Sequence, residues 1–320
     1  MKIGLGIIGL GTIGRFVLEG ALQDKDFEVK CIYDINPPVL DAEHYRDIEV
    51  ATSVDELLDR ADIDLVYIST PPATHIEYCN LALDKGKALW CEKPLATNLE
   101  QATALVQRIE AANAVGAVNL SLATSPILAK LQELMDSIPR DDQDRVEMQF
   151  RFSAWPRHWQ KDASGWLSGR EQGGFLREVF SHFVFMHHRL IGPLALQRSE
   201  IDYPSETESE SQVYARYLSG NTRVTVHGAV GGNAPDLNDW TLYTKEKSIR
   251  FSDWDKISIG DRHGWVRCPL ENKGSVTTQL AEVKKMMAGQ THRLASFKEA
   301  LEVQRVVEFT IRNADSLVLA

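Results

Sequence analysis

The sequence is poor in features that would send it outside the class of ordinary globular proteins. Four cysteines in 320 residues (Cys31, Cys79, Cys91 and Cys268) show no metal-type spacing, and three of them lie in apolar stretches. This predicts free, mostly buried thiols in a reducing, cytoplasmic setting rather than a disulfide framework, with no metal site. No run of 18 apolar residues occurs, so no membrane-crossing helix is expected. The opening stretch, MKIGLGIIGLGTIG, is apolar, but glycines break it and no small-residue cleavage pattern follows. It reads as a buried strand rather than a signal peptide. Basic residues are outnumbered and the formal net charge is -10, which argues against a sequence-independent nucleic-acid binder. Neither nucleic acid nor membrane is expected as a partner. There is no internal repeat and no low-complexity linker; SETESESQ, from Ser205, reads as a short solvated acidic loop.

What is present is a strict alternation of short apolar runs and helical patterns over the first 120 residues. Strands are expected at Ile3–Ile8, Val29–Tyr33, Leu65–Ser69, Ala88–Cys91 and Ala117–Leu120, with helical patterns between them. Alternation of this kind predicts an α/β fold, a doubly wound parallel sheet of the Rossmann type covered by helices on both faces. The pattern then changes. After helical stretches at Pro126–Ser137 and Gly174–Ile191 come alternating strands QVYARYLS, TRVTVHGAV, DWTLYTK and KSIRFS, and a last helix over Ala295–Ala314. Consecutive strands on short turns predict a C-terminal α+β domain with a mostly antiparallel open sheet. The division expected is 1–120 for nucleotide binding and 121–320 for substrate binding and oligomerisation.

IIGLGTIG places Gly9, Gly11 and Gly14 in G-x-G-x-x-G spacing, after a strand and at the start of a helix. The first glycine permits the tight turn, the second lets a pyrophosphate approach the backbone, and the third lets helix and strand pack closely. Thr12 and Ile13 lie within the motif, and the helix it opens, expected from Arg15, turns unpaired N–H groups at its N-terminus toward phosphate. Asp34 follows Gly14 by 20 residues, at the end of the second strand. A carboxylate there can accept from a ribose 2′-hydroxyl and repels a 2′-phosphate, which favours NAD; Arg15 nearby keeps NADP open. The other reading of the motif is a glycine-rich turn with no ligand.

Two further strands run into prolines. ISTPPATH puts Thr70, Pro71 and His75 at one strand's carboxyl end, and CEKP puts Glu92, Lys93 and Pro94 at the next. In an open α/β sheet that edge binds ligands. Taken alone, Lys93 reads equally as a surface residue of a turn. In order and spacing, GLGTIG, Asp34, STPPATH and CEKPLA resemble the Gfo/Idh/MocA family of NAD(P)-dependent oxidoreductases. The resemblance implies that Gly9, Gly11, Thr12, Ile13, Gly14, Asp34, Thr70, Pro71, His75, Glu92 and Lys93 surround the cofactor. It further implies that Lys93 is catalytic or orients substrate, that the bond before Pro94 is often cis, and that the protein is a homodimer or homotetramer.

The resemblance continues more weakly into GGFLREVFSHF. The family has an aspartate and then a histidine four residues later; here these are Glu178 and His182, and Phe185 stands where another aspartate is common. At 100° per residue Glu178, His182, Phe185 and Arg189 fall on one stripe, beside an apolar stripe of Val179, Phe183, Met186 and Leu190. His182 is the expected proton-transfer group, since its unperturbed pKa lies near working pH; the other reading is a histidine satisfied at a domain interface. His187 and His188 are expected at an interface or on the surface. Between Arg151 and Arg177 the charge balance inverts. Arg151, Arg157, Lys161, Arg170 and Arg177 are opposed only by Asp162 and Glu171, and Trp155, Trp159 and Trp166 are interleaved. From these, Trp155, Arg157, Trp166 and Arg177 are candidate contacts for an anionic or planar substrate; a protein interface is the alternative.

Together these features and the resemblance predict an enzyme that transfers a hydride between NAD(P) and a hydroxyl or carbonyl carbon of a small substrate: a sugar, a polyol, or an anionic or cyclic hydroxy compound. Lys93, His182 and Glu178 are the expected catalytic residues. A non-catalytic NAD(P) sensor and an NAD-dependent glycosidase remain open alternatives.

Overall fold

The computed structural model describes residues 2–36, 45, 47–270 and 274–318; the side chains of Lys161 and Asp162, and with them part of the basic segment, lie outside the described residues. The chain forms two compact units, 2–124 with 275–302 and 125–270 with 274 and 303–318.

In the first unit the chain runs β1 (Ile3–Ile8), α1 (Thr12–Gln23), β2 (Phe27–Tyr33), β3 (Glu49–Val50), α2 (Val54–Leu58), β4 (Leu65–Ile68), α3 (His75–Asp84), β5 (Ala88–Glu92), α4 (Leu99–Ala112) and β6 (Gly116–Asn119). Among the described residues these strands form a six-stranded sheet in the order β3-β2-β1-β4-β5-β6, parallel throughout. β4 and β5 are buried at every position, which is why both read as unbroken apolar runs rather than alternating ones. The helices begin where polar caps allow. Ser53 accepts from the Glu56 N–H, and Asn98 accepts from the Glu100 and Gln101 N–H groups. β2 flanks β1 on one side and β4 on the other, so the strand order reverses at β1 and leaves a crevice at the carboxyl edge.

The second unit opens with α5 (Pro126–Asp136), capped by Ser125, and the long strand β7 (Gln143–Phe152). A tight helical stretch, His158–Ala163, leads to α6 (Ser164–Leu167). A π-helical turn, Leu176–Phe180, runs straight into α7 (Ser181–Leu190). Then come β8 (Ala195–Tyr203), β9 (Gln212–Ser219), β10 (Thr222–Val230), β11 (Leu237–Thr244), β12 (Ser248–Ser252), β13 (Lys256–Asp261) and β14 (Gly264–Cys268). The chain ends with α8 (Val276–Met287), α9 (Phe297–Arg312) and β15 (Asp315–Val318). The second sheet has the order β14-β13-β12-β11-β7-β10-β9-β8-β15. It is mostly antiparallel, with parallel pairings of β7 to β10 and of β8 to β15. Along β9 and β10 burial alternates strictly, so one face is covered and the other open.

The expected division is 1–120 and 121–320, whereas the first compact unit joins its leading segment, up to Thr124, with residues 275–302. α8 joins the first unit because Val276, Leu280, Val283 and Met286 complete the core made by Val17, Leu18 and Ala21 of α1 with Leu5, Ile7 and Val29 of the sheet. Residues 275–302, placed in the second domain by the sequence, therefore pack with the nucleotide fold.

Candidate active site

The glycine loop has the geometry its spacing predicts. Gly9 has φ +99°, and a Cβ there would lie 2.8 Å from the Ser69 carbonyl; one at Gly14 would lie 2.1 Å from the Gly9 carbonyl oxygen. Both approaches exclude a side chain. Gly11 differs: a Cβ there meets nothing within 4 Å, and no side chain caps the helix it begins. Open space thus lies against the backbone at Gly11, where the uncapped first turn of α1 with Thr12 and Ile13 begins, a position that fits a pyrophosphate. Asp34 accepts the Leu10 N–H at 2.7 Å and the Asn36 N–H at 2.8 Å. A carboxylate offers about four lone-pair sites, so capacity remains for ribose hydroxyls. Arg15 donates through Nε to the Leu10 carbonyl at 2.9 Å.

The two proline loops are joined to this cradle within the first unit. The Ser69 hydroxyl donates to the Gly9 carbonyl at 2.8 Å, and Thr70 and the exposed Pro71 follow. His75 is completely buried, with Nε2 2.8 Å from the Thr70 carbonyl and Nδ1 2.9 Å from the Pro94 carbonyl. Burial pushes its pKa down against the pull of those carbonyls. Its ring is therefore spent on the loops and does not reach out to a cofactor, a correction to its expected place. Glu92 is likewise only 8 % exposed. Its Oε1 accepts from Tyr67 Oη and Asn119 Nδ2, each at 2.6 Å, and its Oε2 from the Lys93 N–H at 3.2 Å. Burial raises the Glu92 pKa, opposed by Lys93 and these donors. Burial and the neighbouring Glu92 hold Tyr67 well above the usual phenol value, so it stays a donor. Glu92 thus supports its loop from beneath, in place of the expected cofactor contact. Lys93 follows it, half-buried, and the Lys93-Pro94 bond is cis.

In the second unit Glu178 sits within the π-helical turn, and His182 in the first turn of α7. A π-turn closes i to i+5 and carries more residues per turn than an α-helix. The 100° step that aligns Glu178 with His182 fails across it. The expected polar stripe does not exist as such: His182 is 6 % exposed and Phe185 1 %. His182 meets the Trp254 ring edge-on with centroids 5.3 Å apart, and Arg189 covers Phe185. Phe185 is a core residue. His187 is also a core residue: it accepts from Trp240 Nε1 at 3.3 Å, and burial drives its pKa down to about 3.

Of the basic, aromatic segment, Arg157 and Trp155 come together with Glu178. Arg157 lies over the rings of Trp155 and Trp159, and its Nη2 is 3.7 Å from Glu178 Oε1. The buried Gln160 links them, accepting from Arg157 and donating to the same Glu178 oxygen at 3.2 Å. Gln160 carried no signal beyond its spacing of three from Arg157. Trp166 is half-buried in α6, without a part in this cluster. Arg177 is not available to a substrate. It is 5 % exposed, pairs with both Glu308 oxygens at 2.7 and 3.1 Å, and donates through Nη1 to the Arg170 and Gly173 carbonyls. Four bonds from one guanidinium make it a structural tie.

A parallel sheet with an open glycine turn, an acid at the end of β2 and a charged loop on the same edge defines an NAD-binding Rossmann domain of the oxidoreductase type. Residues 3–120 match the Gfo/Idh/MocA oxidoreductase family, NAD-binding Rossmann fold. Among curated relatives, Oxidoreductase P35 of Formosa agariphila is 24 % identical over 83 % of this chain and 84 % of its own length. The 1,5-anhydro-D-fructose reductase of Ensifer adhaerens is 31 % identical over 55 % of this chain and 53 % of its own, so this chain spans about half of that relative. Among solved structures, a levoglucosan dehydrogenase complexed with NADH superposes with a TM-score of 0.82 at 19 % identity, covering 98 % of this chain and 97 % of that one. The likeness extends the fold, though not the activity, across both units.

Proposed function

We propose that this protein is an NAD-dependent oxidoreductase acting on a hydroxyl-bearing carbon, or the corresponding carbonyl, of a small sugar-like or polyol substrate. The observation that carries the reading is the placement of Lys93 at the carboxyl edge of β5, on the same sheet edge as the open Gly11 turn. Relatives named for anhydrofructose reduction and inositol dehydrogenation support the substrate class.

NAD, when bound, supplies hydride exchange at its nicotinamide. The helix N–H groups after Gly11 would hold its pyrophosphate and Asp34 a ribose hydroxyl. Lys93 is assigned the reacting oxygen of the substrate: its ammonium stabilises negative charge developing there, at an edge partly shielded from water. His182 is assigned proton transfer and Glu178 the orientation of a substrate hydroxyl. Arg157 and Gln160 hold the Glu178 carboxylate from one side.

The test is incubation with NAD and a panel of sugars and polyols, following absorbance of the reduced cofactor. Net NADH formation supports the reading. Product without net NADH points to a glycosidase, and firm NAD binding without turnover across the panel points to a sensor.

A further inference from the structure

Lys93 and Pro94 are held at both ends of the dipeptide by buried side chains, that of the preceding Glu92 and that of His75 at the start of α3. The Lys93 N–H donates to Glu92 Oε2 at 3.2 Å, and the Pro94 carbonyl faces His75 Nδ1 at 2.9 Å. Each gripping group is itself anchored. Glu92 Oε1 takes Tyr67 Oη from β4 and Asn119 Nδ2 from β6, both at 2.6 Å, so one carboxylate ties three neighbouring strand ends together. His75 reaches back through Nε2 to Thr70, which follows the Ser69 that binds the glycine loop.

A carbonyl oxygen only accepts, so each His75 contact requires an N–H on the ring, and a neutral imidazole carries one. The two contacts are therefore not equivalent. We propose that His75, donating from Nδ1 to the Pro94 carbonyl, and Glu92, held by Tyr67 and Asn119, are positioning residues that bracket the Lys93-Pro94 dipeptide and fix the Lys93 amine for its reaction. The inference rests on the reading that Lys93 serves the chemistry. Glu92 and His75 touch neither substrate nor cofactor; they act through Lys93. Both side chains are buried, and a misplacement of Lys93 of about 1 Å costs on the order of 10²-fold in rate.

The bracket predicts a difference between two substitutions of the same buried ring. Asparagine can place its amide N–H near the position of Nδ1, whereas glutamine reaches the position of Nε2. His75→Asn keeps the bond to Pro94 and leaves the Thr70 carbonyl without a facing N–H; His75→Gln loses the Pro94 bond and donates to Thr70 instead. Each keeps one buried amide N–H for one of the two carbonyls and the two differ by a single methylene, so a purely structural role affects them to a similar degree. The full-length protein is reductively dimethylated with ¹³C-formaldehyde, and the Lys93 resonance is assigned by its loss in Lys93→Arg. This readout requires no substrate. The expected result is that His75→Asn keeps the wild-type Lys93 resonance while His75→Gln moves it. With a substrate found from the panel, His75→Gln lowers kcat about 10- to 100-fold at unchanged KM for NAD, and His75→Asn stays within a few fold of wild type. Tyr67→Phe, a milder change that removes one donor to Glu92, shifts the Lys93 resonance in the same direction as His75→Gln. Equal behaviour of the two His75 variants in both readouts, or a Lys93 resonance indifferent to Tyr67→Phe, overturns the bracket. Wild-type turnover by Lys93→Ala overturns instead the reading of Lys93 as a participant, and the resonance then judges the bracket separately.

Discussion

Arg177→Met separates a structural arginine from a substrate-binding one. The guanidinium is 5 % exposed and satisfies Glu308, itself 2 % exposed, together with the carbonyls of Arg170 and Gly173. Methionine fills much of the same volume but leaves the Glu308 carboxylate with the Gln304 amide at 2.8 Å as its one remaining bond from this cluster. Removing one partner of a buried ion pair typically costs about 3–5 kcal/mol, most of it the penalty of the stranded charge. That is a large share of the roughly 5–15 kcal/mol by which native proteins are stable. At about 2 °C per kcal/mol for a long chain, the expected fall in Tm is roughly 6–10 °C. The double variant Arg177→Met, Glu308→Gln removes the stranded charge and recovers a good part of the loss. Thermal unfolding by circular dichroism measures both, and NADH fluorescence titration at low temperature finds cofactor affinity unchanged in each. A single variant within 1 kcal/mol of wild type, with KM for substrate raised instead, refutes the assignment and restores Arg177 to the substrate.

Further perturbations test other parts of the account. Gly11→Ala meets open space, so it keeps the Tm within about 1 °C while weakening NADH binding, whereas Gly9→Ala, at φ +99° against Ser69, lowers the Tm outright; calorimetry and fluorescence titration separate the two. Asp34→Asn retains one acceptor for the backbone but loses the charge that repels a 2′-phosphate, so the preference for NAD over NADP narrows by about tenfold or more; an unchanged ratio of the two dissociation constants contradicts the role. Burial raises the Glu210 pKa to about 7, against its bond from the Leu176 N–H, the nearby Arg177 and an ordinary value of 4.5. A raised acid pKa means the folded state holds its proton longer, so this group's contribution to stability is full below about pH 4.5 and is lost as pH rises to about 7. The loss reaches at most about 3 kcal/mol, and Glu210→Gln flattens that part of the Tm–pH curve.

The first unit was legible because each of its devices is local. Gly9, Gly14 and Asp34 lie within one strand–helix–strand unit, and the apolar runs of β4 and β5 mark fully buried parallel strands. Its support was not legible. Tyr67, Glu92 and Asn119 meet only after three strands align, and His75 meets Pro94 only across two loops; no spacing along the chain encodes either. The α8 segment was misassigned for the same reason, since its apolar face shows that it packs but not against what. In the second unit the helical stripe failed because a π-turn lies between Glu178 and His182, and no residue in LREVF announces one. Arg177 misled because it lies in a basic run, whereas its fate depends on Glu308, 131 residues away.

The central claim is that Lys93 serves the chemistry and not cofactor binding. The direct measurement is kcat/KM of Lys93→Ala on whichever panel substrate reduces NAD, taken with the NADH dissociation constant of the same preparation. The account predicts a fall in kcat/KM on the order of 10² or more with the dissociation constant unchanged. Turnover near wild type, or a loss accounted for entirely by weaker NADH binding, contradicts it.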